Sequence, residues 1–100
     1  MNKSRILVIG RHAEIMQIVL RLINQNDEWS GDGCLSDEEA KSMFIANAYD
    51  LVLLGGGISE SEEQVLRAFF SEHKPKVPVV QHYGGGSGLL YNEIKEALSL

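Results

Sequence analysis

Apolar residues follow two rhythms along this chain. Ile6-Leu7-Val8-Ile9, Leu51-Val52-Leu53-Leu54 and Val77-Pro78-Val79-Val80-Gln81 are short, nearly continuous runs. Runs of this length are too brief for helices, and being apolar on both sides they predict strands covered on both faces. Between them, apolar residues recur at three- and four-residue spacing. Ile15, Met16, Val19, Leu22 and Ile23 predict a helix from Ala13 to about Asn26. Ala40, Met43, Phe44 and Ala48 predict a second, and Val65, Leu66, Phe69 and Phe70 a third that ends near His73. Leu90, Ile94, Ala97 and Leu98 predict the last. The stretch from Trp29 to Leu35 is interrupted by Gly31 and Gly33 and predicts only a short, weak edge strand.

Local signals agree with these boundaries. Ser36-Asp37-Glu38-Glu39 has the spacing of a reciprocal capping box, and Ser59 precedes Glu60, Glu62 and Glu63, which suit the positive end of a helix dipole. Pro75 closes the third helix, and Pro78 is tolerable at the start of a strand. Four strand–helix alternations call for a parallel sheet with right-handed crossovers. The expectation is one domain over residues 1–100: a doubly wound, flavodoxin-like three-layer α/β sandwich with strand order 2-1-3-4. An apolar fourth strand at a sheet edge needs cover, which predicts a homodimer through that strand and the last helix.

The net charge is −5 and the pI about 5.1, which weighs against nucleic acid or anionic membrane as a partner. No apolar segment approaches the roughly 18 residues of a membrane span. Cys34 is the sole cysteine, so there is no internal disulfide or zinc-ribbon pattern, and a reducing cytoplasm is the expected setting.

Ile6-Leu7-Val8-Ile9 with its polar exit and Ala13-Glu14-Ile15, then Tyr49-Asp50-Leu51-Val52-Leu53-Leu54, then Lys76-Val77-Pro78-Val79-Val80, together resemble the receiver domain of bacterial two-component response regulators. The resemblance covers roughly residues 5–83. It implies a signalling module whose phosphoacceptor aspartate would stand at Gly55. The magnesium-binding acidic pair would stand at Gly10 and Arg11, and the switch Ser or Thr at Tyr83. The family's fourth helix, fifth strand and lysine have no counterpart, so the last helix here matches the family's last helix across a deletion. A truncated, degenerate receiver is implied, with no aspartyl phosphorylation, no catalytic residues, no metal and no cofactor.

The loop His82-Tyr83-Gly84-Gly85-Gly86-Ser87-Gly88 precedes a helix, where converging backbone amides favour an anion. It has neither a Walker lysine nor dinucleotide-fingerprint spacing, and a tight turn in place of a deleted element is the competing reading. Topology sets Gly55-Gly56-Gly57 beside it, so Arg11, His12 and His82 are expected on the same rim. The candidate anion site is therefore Arg11, His12, Gly55, Gly56, Gly85, Gly86, Ser87 and Gly88, with a solvated loop arginine as the alternative for Arg11. His12 and His82 make an incomplete zinc set, and Cys34 is expected to be a buried or half-exposed thiol rather than a nucleophile. Three functions remain in view: a non-catalytic regulatory or protein-interaction module, a small-ligand sensor holding a phosphate or other anion at the two glycine loops, and, with the least support, an enzyme using His12, His82 or Cys34.

Overall fold

A computed structural model describes residues 3–82 and 87–99, with the side chains of Ser87 and Gly88 excluded. The elements are β1 (Ser4–Ile9), α1 (Ala13–Asn24), β2 (Trp29–Cys34), α2 (Asp37–Ala46), β3 (Leu51–Leu54), α3 (Glu60–His73), β4 (Val79–Gln81) and α4 (Ser87–Leu98). All described strand pairs are parallel, in the order β2-β1-β3-β4. This is the expected doubly wound α/β sandwich.

The two-residue period of the strands assigns the layers. Ile6, Val8, Leu51 and Leu53 face α1 and α4, where they meet Met16, Val19, Ile23, Leu90 and Ile94. Leu7, Ile9, Val52 and Leu54 face α2 and α3, against Ala40, Phe44, Leu66 and Phe70. The Phe44 and Phe70 rings lie 4.5 Å apart in a tilted contact that joins α2 to α3.

Several boundaries differ from the sequence expectation. β2 pairs with β1 along all six of its residues. Its glycines do not weaken it, because Trp29, Gly31 and Gly33 share the face under α1, and a Cβ at Gly31 would lie 2.9 Å from Ile23 Cγ2. The missing side chains let the helix sit close. β4 begins at Val79 rather than Val77, with the Pro78 carbonyl accepting from Val52 N–H at 3.0 Å. α1 ends at Asn24, and α2 ends before Ala48, which is exposed rather than core. Ile15 and Val65 are also exposed, because each helix buries a narrower stripe than its apolar positions offer.

The caps are redistributed as well. Ser36 Oγ accepts from Glu39 N–H, but the full reciprocal box forms at α3, where Ser59 Oγ accepts from Glu62 N–H and Glu62 accepts from Ser59 N–H. Both outer strands are plugged by side chains. The Asn24 amide accepts from Gly31 N–H at 2.9 Å and donates to its carbonyl at 3.4 Å. Arg67, held by Glu63 at 2.7 Å, donates to the Val79 carbonyl at 2.7 Å.

Substituting Gly31→Val sets a β-branched side chain against buried, stiff Ile23 and should cost about 1–3 kcal/mol by overpacking. A Cβ at Gly56 meets nothing within 4 Å, so Gly56→Val should stay within about 0.5 kcal/mol of the parent. Urea denaturation midpoints of the two variants check this ordering.

Candidate functional site at the carboxyl end of the sheet

In a parallel sheet every strand delivers its exit loop to one end, and ligands of doubly wound folds sit there. The exits of β1 and β3 are glycine. Gly55 N–H donates to the Ile9 carbonyl at 2.6 Å, and a Cβ at Gly55 would lie 3.2 Å from that same oxygen. The chain thus has little room for a side chain where β3 leaves the sheet. Gly57 is the described residue with positive φ, at 86°, and a Cβ there would lie 2.8 Å from Arg11 Cβ. The glycine turn is moulded to the Arg11 stem.

Of the expected rim, Arg11, His12, Gly55, Gly56 and His82 line one cavity of about 640 Å³, together with Gln81. Gly85 and Gly86 lie outside the described residues. Ser87 and Gly88 open α4 rather than belonging to a loop before Leu90.

The Arg11 guanidinium is partly exposed but not spare. It pairs with Asp37 at 2.7 Å and Glu62 at 3.4 Å, and donates to the Leu35 carbonyl at 3.3 Å. Partial burial works against its charge, but the Asp37 hydrogen bond and charge, with help from Glu62, outweigh this and raise its pKa. The Glu62 carboxyl is held below its ordinary value by its hydrogen bonds to Ser59 and by Arg11. The acidic first turns of α2 and α3 therefore share a basic partner, beyond dipole complementarity alone. The chain order carried the signal, since the residue after β1 and the first turns of α2 and α3 all lie at this end of the sheet.

His82 is also engaged, its Nδ1 lying 2.5 Å from Glu93 Oε1 on α4. Glu93 is the partner that sequence reading missed. No group of three or more His, Cys, Asp or Glu side chains that could hold a metal occurs among the described residues. Cys34 is buried, its Sγ 3.8 Å from the Val8 carbonyl. Burial, with the charges of Glu39 and Asp37 adding to it, pushes the thiol up from 9.0 to about 12, far from a poised nucleophile. Away from the rim, Tyr49 O–H donates to Asp32 Oδ2 at 2.8 Å, and burial together with this bond raises its pKa. Arg5 joins the same carboxylate at 3.2 Å, which ties β1, β2 and the approach to β3 together.

No protein-family model matches the chain, and no curated protein matches it. Solved structures do. The signal receiver domain of an HD domain-containing protein from Pseudomonas fluorescens Pf-5 matches with a TM-score of 0.81 at 12% identity, over 99% of this chain and 89% of that one. The fold is that of a receiver domain. A LuxR family DNA-binding response regulator from Silicibacter pomeroyi matches the receiver-like fold with a TM-score of 0.78 at 16% identity, over 96% of this chain and 91% of that one. A chain from the complex of histidine kinase ThkA with response regulator protein TrrA matches with a TM-score of 0.71 at 20% identity, over 96% of each chain. At such identities the likeness carries the receiver fold alone, and the rim residues above describe what this chain places on it.

The raised thiol predicts a direction with pH. Between about 9 and about 12 the folded state keeps the Cys34 proton that the unfolded chain loses. Stability is therefore full below the unfolded value and falls as pH rises through this window, by at most about 1.4 kcal/mol per pH unit for one proton. Cys34→Ala should flatten that slope, and Tyr49→Phe should remove the part that begins at higher pH. Denaturant melts across the alkaline range check both.

Proposed function

We propose that this chain is a non-catalytic regulatory domain that acts by binding a protein, including a second copy of itself, and is not switched by aspartyl phosphorylation. The observation that carries the proposal is the rim. The residue at the carboxyl end of β3 is Gly55, and the cation present is the Arg11 guanidinium, already held by Asp37 and Glu62. Phosphoryl transfer to a carboxylate needs an acceptor and an acidic pair to hold a metal, whereas Gly10, Arg11 and Gly55 carry no carboxylate and those of Asp37 and Glu62 are paired with Arg11. One similar structure comes from a complex of a histidine kinase with a response regulator protein, so protein recognition is within the reach of this fold.

Incubation with acetyl phosphate and magnesium tests the proposal by intact mass. We expect an unchanged mass, and a labile increment of one phosphoryl group would overturn it.

Self-association is proposed through β4, where a partner would pack beside the Arg67 plug on Val79, and through α4. Leu89 and Tyr91 are exposed on α4, whereas Leu90 is buried in the core, so a charge at Leu90 would test folding rather than association. The expected outcome is that Leu89→Glu lowers the sedimentation coefficient from dimer to monomer without changing the thermal melt. A native chain that sediments as a monomer, or a variant that sediments like the parent dimer, would remove this surface.

A further inference from the structure

We infer that the groove between α1 and α4 at the carboxyl end of the sheet is a binding site for an uncharged, mainly apolar small molecule carrying one hydrogen-bonding head. The inference goes beyond the regulatory reading and does not rest on it.

Helix α1 carries two adjacent apolar stripes. Met16, Val19 and Ile23 are buried against the sheet, while Ile15 and Ile18 are 55% and 49% exposed and stand with Leu22 along the cavity. Large aliphatic side chains beside a concave apolar floor are unsatisfied surface of the kind that marks a recognition site. Val8 and Leu53 of the sheet and Leu90 of α4, all buried, back the inner side of the same space. Its volume of about 640 Å³ lies within the roughly 300–1,000 Å³ range of small-molecule sites.

The charges decide the ligand class. Arg11 is neutralised by Asp37 and Glu62, and His82 is bonded to Glu93. An anion would meet carboxylates near its partners, and a cation would have to compete with Arg11, so an ionic ligand loses its hydration without a free counter-charge among the described residues. Gly10, Gly55, Gly56, His12 and Gln81 remain as polar or backbone-rich lining at one end, which suits a neutral head group.

The test titrates the neutral dye Nile red into the full chain and follows its emission. Saturable one-to-one binding is expected, weakened at least about tenfold by Ile18→Glu or Gly56→Leu. Ile45→Glu, equally exposed but on α2 and outside the cavity lining, should bind like the parent. Ile18 is half-exposed and Gly56 has open space around its Cβ, so both variants should fold, and a thermal melt confirms it. Non-saturating binding, or parental affinity in both cavity variants, would overturn the inference. So would displacement of the dye by inorganic phosphate. Loss of the dye signal in step with dimer formation on sedimentation would assign the groove to a second copy instead. None of these results bears on the phosphoryl-transfer test.

Discussion

Burial of β1 and β3 on both faces is the constraint on which the rest of the molecule depends. Ile6, Leu7, Ile9, Leu51 and Val52 are completely inaccessible, so helices must cover both sides of the sheet and every crossover must return over it. One consequence is geometric. All exits from the strands collect at a single end, and the closeness of β1 and β3 there leaves Gly55 against the Ile9 carbonyl.

The fold was legible because continuous apolar runs and helical spacing are period signals, and these survive without any knowledge of partners. Where reading failed, a tertiary neighbour had intervened. Gly31 and Gly33 look like strand breakers until α1 is seen to lie over them. Ile15 looks like core until it is seen half-exposed beside the buried stripe of Met16, Val19 and Ile23. The capping signals of Ser36 and Ser59 are alike in sequence, yet the Ser36 cap forms one way and the Ser59 cap both ways. The rim was half legible: its membership followed from topology, but its charge state did not. Seeing that Arg11 is spent on Asp37 and Glu62 requires the position of one long side chain, which no spacing fixes.

That pairing changes what the end of the sheet can do. A guanidinium bridging the first turns of α2 and α3 ties the β1 exit to two helices, and Gly57 is shaped to its stem. The polar groups at this end are largely turned on one another, and the apolar groups are left facing outward. The contrast between paired charges at the rim and exposed aliphatic side chains along α1 is what the proposed apolar groove rests on.

The plug on β2 couples secondary structure to colloidal behaviour. Asn24 is the last residue of α1, and its amide covers both the N–H and the carbonyl of Gly31 on the outer strand. Helix ends fray more readily than domains unfold. Without that amide the Gly31 N–H and carbonyl would stand open on the outer edge of β2, available to a strand of another chain. The Asn24 amide therefore links the end of α1 to the protection of the outer strand against pairing with another chain.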